Sequence, residues 1–390
     1  MPSSLSSERG FRGHIAELDG LRAYGSMIVL LNHFWPKSLS LAIWHLGQMG
    51  WIAMDSFFVL SGFLITGILI DSRNKPDYYR TYYRRRALRI FPLYYVVLAL
   101  LIFQIRFRHG GVEYKYLIAH WGSPAWFLFY LGNIKTAIAN SWTHVLGFSP
   151  LWSLQIEEQF YLLFPFAVRW LRLENLRRLL LAAVCISPIV RVLFYLWHPG
   201  NPFLQYVLLP SRFDGLALGG LIAIRYRMGP WKIPKIALPA LGVVLLGIAC
   251  AGSVLSTPTR LDEAWSSPFN RLAGYSISSA GCACLILWLI QNRGAAYTAW
   301  LRLAPVQYVG KISYGIYLLH LLALGTINGL GKHFSFLAAP GLPRFFALIF
   351  LSIGYASVSW YLLERPLLRL KDRVSRPRGV PEPVAEATLA

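Results

Sequence analysis

The sequence predicts an all-α, polytopic membrane protein. Three observations carry that expectation. Of its 390 residues 56% are hydrophobic and only 14% charged. The apolar residues gather into stretches long enough to cross about 30 Å of hydrocarbon as helices. The basic residues sort to one side of those crossings, as they do in membrane proteins generally. A single membrane domain over residues 21–371 is expected, preceded by a polar segment, 1–20, and followed by a Pro-rich tail, 372–390, of disordered composition. The opening MPSSLSSERGFRGHIAELDG has no apolar core and no small-residue cleavage site, so the first apolar stretch is expected to stay as a helix.

Ten stretches qualify as spans, with boundaries good to several residues. The first, Leu21 to Leu39, carries Arg22 and His33 inside apolar sequence. The second, Met49 to Ile70, reads MDSFFVLSGFLIT near its start, and its Ser61 and Gly62 are small enough for close helix packing. The third, Leu88 to Phe107, follows the basic run Arg84 to Arg86 and takes Arg89 into its first turn. Pro124 to Ile134 is apolar but too short to cross and reads as an interfacial or re-entrant piece. The fourth, Leu151 to Leu171, places Ser153 and Glu157 one helical turn apart on one face.

Leu179 to Trp197 is the fifth. The sixth, Ser211 to Tyr226, is short and opens on SRFDG, where Arg212 and Asp214 are expected to pair. Ile236 to Leu255 and Ala273 to Ile290 follow. The ninth, Tyr314 to Leu330, enters from GKIS and holds His320, and the tenth, Phe345 to Leu363, ends at Glu364 and Arg365, read as a pair. With both termini cytoplasmic, 27 of the 38 basic residues fall on the inner side, an asymmetry that an odd number of spans would break.

The formal net charge of +21 raises the question of nucleic acid. Position answers it: the basic residues sit at span ends, where topology and anionic lipid place them, with no basic and aromatic platform on a soluble fold. Arg84 to Arg86 read chiefly as topogenic. Cys185, Cys250, Cys282 and Cys284 all lie in apolar spans without zinc-type spacing, so they read as packing residues and no metal is expected. There is no glycine-rich nucleotide loop and no internal repeat.

Ionisable residues at membrane depth are costly and mark functional sites. The strings that hold them, taken together, resemble acyltransferase family 3, the integral-membrane O-acyltransferases. The resemblance covers nearly the whole chain: Arg22 and His33 with ten residues between them after LDGLRA, DSFFVLSGFLIT, RRALRIFPLYY, WSLQIEEQFYLLFP, SRFDGLALGG, GKISYGIYLLH and the closing ERP, in that order.

The resemblance implies an acyltransferase (EC 2.3.1.-) of a bacterial inner membrane. It would move an acyl group, usually acetyl, from cytosolic acetyl-CoA to a hydroxyl of a carbohydrate or glycan. Some relatives carry a hydrolase-like extension; any such helper here would be a separate extracytoplasmic protein. Arg22, Arg89, Lys311 and Arg365 fall at inner helix ends and are expected to meet CoA phosphates, with Tyr314 and His320 along the CoA arm. His33, Asp55, Glu157, Glu158, Arg212 and Asp214 fall towards the outer half.

A neutral imidazole suits removal of the alcohol proton near pH 7, which makes His33 the expected general base, with acyl-His33 formation as a variant. Glu157 would orient it, Ser153 would be a hydrogen-bonding neighbour, and Asp55, Glu158, Arg212 and Asp214 would face the acceptor. The competing reading is a secondary transporter of an anionic or glycosylated metabolite, since buried charges also mark transport paths.

Overall fold

The computed structural model describes residues 14–36, 47–107, 115, 118–119, 122–142, 147–228, 234, 236–257 and 261–374. Every regular element among them is helical. Ten helices form the body: α1 Ala16–Phe34, α2 Trp51–Ser72, α3 Tyr78–Phe107, α4 Leu151–Trp170, α5 Leu173–Trp197, α6 Leu209–Arg227, α7 Ala237–Ser256, α8 Tyr275–Gln291, α9 Ser313–Leu330 and α10 Leu342–Ser359. A π turn, Trp360–Glu364, and a further helix, Arg365–Val374, prolong α10.

Eight of the ten, some extended by the turns flanking them, are long and apolar enough to cross a membrane. The exceptions are α1 and α4. They are 19 and 20 residues long, enough for about 30 Å at 1.5 Å per residue, but each carries three charged residues. Two of those charges, Arg22 and Glu157, line a cavity between the helices.

The helices form an inside-out body suited to lipid. The α2 helix and the 203–227 segment are two-thirds buried, whereas the spans of α5 and α7 are 22% buried. Outward-facing Leu193, Leu196, Val243 and Val244 on these outer helices, and Phe350 on α10, remain exposed, as a hydrocarbon solvent permits. Packing at the centre depends on absent side chains. A Cβ on Gly62 of α2 would overlap the carbonyl of Leu216, and one on Gly219 of α6 would overlap the carbonyl of Val59, so the two backbones run almost in contact. At one end of that pair Arg227 makes a double contact to Asp71 (2.8 and 2.7 Å) and donates to the Gly67 carbonyl (2.9 Å).

Helix α3 begins ten residues before its apolar stretch, because Tyr78, Tyr82 and their neighbours pack on α4. Pro165 removes an N–H from α4 and disturbs its ladder. Tyr78 and Tyr83 donate to the carbonyls of Pro165 (3.0 Å) and Leu162 (2.7 Å) there, lacing the two helices together. The short apolar piece after α3 forms two small helices, Ala125–Leu128 and Gly132–Ala139, with Tyr130 at positive φ between them. The first end of α1 is pinned to the 294–311 segment: Gln307 donates to the Ala16 carbonyl (2.7 Å) and Glu17 accepts the Gly294 N–H (2.8 Å).

Candidate active site

Helix α1 carries Arg22 and His33 eleven residues apart, about 16 Å along its axis. Each opens into a different chamber. At the Arg22 end, a cavity of about 270 Å³ is lined by Arg22, Arg86, Arg89, Glu157 and Tyr314. At the His33 end, a cavity of about 420 Å³ is lined by His33, Trp51, Trp142, Trp152, Tyr206 and Trp265. Met54 and Tyr317 belong to both walls, so the cationic and aromatic chambers meet at these two side chains.

The early start of α3 explains the cationic chamber. Arg86 and Arg89 lie three apart on a formed helix and therefore share a face. Arg84 and Arg85 are exposed, whereas Arg86 is partly enclosed with its guanidinium 4.5 Å from the centre of the Tyr161 ring. Arg22 is steadied by Asp19 at 2.6 Å. Glu157 accepts from the Ser61 hydroxyl (2.6 Å) and from the Tyr161 hydroxyl (3.1 Å), so its carboxylate is held among the arginines. Tyr314 donates to the Ile90 carbonyl of α3 at 2.8 Å.

In the aromatic chamber, His33 Nδ1 lies 3.0 Å from the Val29 carbonyl. A carbonyl only accepts, so Nδ1 carries the proton and Nε2 of the neutral ring keeps its lone pair. The His320 ring sits beside it, centroids 4.9 Å apart. His320 is likewise oriented by a backbone carbonyl, that of Tyr317 at 2.7 Å, and its Nε2 is enclosed with no hydrogen-bond partner. At the junction the Tyr317 hydroxyl donates to the Pro150 carbonyl (2.5 Å), which leaves Ser153 Oγ, 2.6 Å away, to donate to Tyr317.

The structure brings some of the residues singled out in the sequence together and keeps others apart. Arg22, Arg89 and Tyr314 share the cationic chamber. Lys311 and Arg365 lie outside its wall, over the rings of Trp360 (5.1 Å) and Tyr361 (5.7 Å). His320 sits against His33 rather than with the arginines. The structure does not bring Glu157 to His33, because the two line different chambers. Glu158, one residue on, turns to another face of α4 and has one carboxylate oxygen enclosed without a partner. Glu364 accepts from Ser359 (2.9 Å), and no contact joins it to Arg365 among the described residues.

The expected Arg212–Asp214 pair is corrected. Residues two apart on a helix point to opposite sides, and each finds a partner elsewhere. Arg212 pairs with Asp55 of α2, both 1% exposed. Asp214 pairs with Arg191 of α5 at 2.9 Å and accepts from Ser276 of α8 at 2.6 Å. These closed pairs tie α2, α5, α6 and α8 together behind the aromatic wall, with the Arg212 guanidinium 4.0 Å from the centre of the Tyr275 ring. Arg191 went unnoticed in the sequence, although an arginine within an apolar span satisfies the same criterion that flagged Arg22. Arg86 was hidden by its neighbours, since three consecutive arginines do not say which one faces inward.

Among the described residues no group of three His, Cys, Asp or Glu side chains is placed to hold a metal ion. The chain is similar over 91% of its length, at 26% identity, to the O-acetyltransferase OatA of Staphylococcus aureus, of which the match covers 57%. It is 27% identical to the acyltransferase MdmB of Streptomyces mycarofaciens, over 95% of this chain and 96% of that one. The peptidoglycan O-acetyltransferase OatA of Listeria monocytogenes matches 79% of the chain at 27% identity, with 49% of its own length covered. The chain thus spans about half the length of the OatA relatives. No solved structure matches. The acyltransferase domain model matches residues 15–362, nearly all of the membrane body and both chambers within it, and the chain belongs to acyltransferase family 3.

Proposed function

We propose that the protein transfers an acyl group, acetyl from acetyl-CoA, to a hydroxyl of a carbohydrate acceptor within the membrane. The observation that carries this reading is the pair of adjacent chambers that share Met54 and Tyr317 in their walls, one lined by three arginines and the other by His33. Arginine suits phosphate through its planar fork of donors. Arg22, Arg86 and Arg89 would bind the nucleotide end of the donor, with Glu157 limiting their mutual repulsion. The pantetheine arm would then carry the thioester along α1 towards His33, and the acceptor would enter from the aromatic side. Both termini would lie in the cytosol, so that donor and acceptor approach from opposite faces of the inner membrane.

In the aromatic chamber, His33 Nε2 takes the proton of the acceptor hydroxyl as its oxygen attacks the thioester carbonyl. The new C–O bond forms, the C–S bond breaks, and the departing thiolate recovers the proton from the imidazolium. Val29 fixes the tautomer that this sequence requires. The neighbouring His320 supplies an uncharged wall beside the ring.

The test is His33→Gln in the purified full chain, with release of labelled acetyl to a soluble glycoside as the readout. A general base is worth roughly 10²- to 10⁴-fold in rate. A loss of that size at unchanged thermal stability is expected, and near-normal turnover would remove His33 from the mechanism. The OatA relatives are named for O-acetylation, which supports acetyl as the transferred group.

A further inference from the structure

We infer that the aromatic chamber is an acceptor subsite for the C–H face of an uncharged pyranose ring, with Trp142 and Trp265 as its stacking surfaces. The inference rests on the proposed transfer reaction and narrows its acceptor. Trp142 follows the helix Gly132–Ala139, and Trp265 lies in the 3₁₀ turn Leu261–Ser266 that precedes the π turn leading into α8. The two indoles stand 5.5 Å apart by centroid, both partly exposed. Tyr206 packs against Trp265 at 4.8 Å and against Trp152 at 4.4 Å, so the four rings form one continuous wall.

Three further observations point to a sugar rather than a purely apolar guest. The indole N–H of Trp51, a residue 3% exposed in the chamber wall, has no hydrogen-bond partner. A buried donor left unmade is costly, and a ligand hydroxyl would satisfy it. Asn32 and Gln48 add side-chain amides to the same wall as His33, each with donors and an acceptor for hydroxyl groups. Among the described residues no Asp, Glu, Lys or Arg lines this chamber, and the charged groups behind it are already neutralised as Arg212–Asp55 and Arg191–Asp214. An acceptor carrying a carboxylate would therefore leave water without gaining a counter-ion there.

The experiment uses the full chain in nanodiscs and saturation-transfer NMR, with methyl β-D-glucopyranoside and methyl β-D-glucuronide as probes. The glucoside is expected to receive saturation mainly on the ring protons of one face, and the glucuronide to compete at least about tenfold less well. Trp265→Leu should weaken glucoside binding about tenfold, within the range of aromatic contacts, and Trp265→Phe, which keeps a ring, should restore most of it. Equal binding of the two probes, or saturation spread evenly over both sugar faces, would overturn the subsite. That comparison needs only the unmodified protein, so a variant that fails to fold leaves the test intact. Repeating it on His33→Gln separates the two ideas: loss of transfer with the glucoside still saturated mainly on one face supports both. Retained transfer would refute the base, and absent sugar binding in the unmodified protein would refute the subsite.

Discussion

Adding one methyl group at Gly62 or at Gly219 should force α2 and α6 apart, and the structure sets the size of the effect. A Cβ at Gly62 would lie 2.7 Å from the carbonyl carbon and 2.9 Å from the Cα of Leu216, and a Cβ at Gly219 would lie 2.6 Å from the Phe63 nitrogen and 2.9 Å from the Val59 carbonyl carbon. Favourable carbon contacts sit near 3.5–4.0 Å, so the helices must separate by roughly 1 Å. The obstacle is backbone in both cases and cannot swing away. Overpacking of this kind costs about 1–3 kcal/mol, and the rigid partner puts each substitution at the upper end. Both methyl groups push on one interface. Once Gly62→Ala has opened it, Gly219→Ala meets little further resistance, so the double variant should lose much less than the sum of the singles. Reversible unfolding in mixed micelles, read by circular dichroism against denaturant, supplies the four free energies. Additive losses, or a single variant as stable as the parent, would show that the backbones are not in contact as described.

Replacing Arg86 or Arg89 by Gln should raise the KM for acetyl-CoA about 10- to 100-fold, the worth of a charge-assisted hydrogen bond. The KM for acetyl-pantetheine, which lacks the nucleotide, should change far less, and equal losses for the two donors would place these arginines elsewhere. Asp55→Asn strands the enclosed Arg212 and should cost about 3–5 kcal/mol of stability, as broken buried pairs do. Asp55→Leu combined with Arg212→Met strands no charge and should recover most of that loss; a double variant as unstable as Asp55→Asn would argue against a closed pair. Single cysteines placed at Ser38 and Ser375, with the native cysteines replaced, should be labelled from the outside and from the cytosol respectively, and labelling of both from one side would refute the sidedness that places both termini inside.

The helical, many-span class was legible in the sequence because crossing about 30 Å of hydrocarbon needs long apolar runs, a one-dimensional property. Arg22 and His33 share one helix because they share one such run. The sequence's weakest reading was where polar residues joined the helix: α3 begins at Tyr78 because aromatic contacts with α4 extend it beyond the lipid-length stretch. Sequence position also gives a residue's height along its own helix, but not what it faces. Ser61 meets Glu157 across 96 residues and Arg212 meets Asp55 across 157. Those partners were chosen by how the helices rotate and pack around the Gly62 and Gly219 contact. The same packing selected Arg86 from three adjacent arginines, separated Glu157 from His33, and set His320 beside the His33 ring in the wall of the aromatic chamber. Burying a charge in this body requires a partner at the right azimuth, and only the packed helices fix that angle.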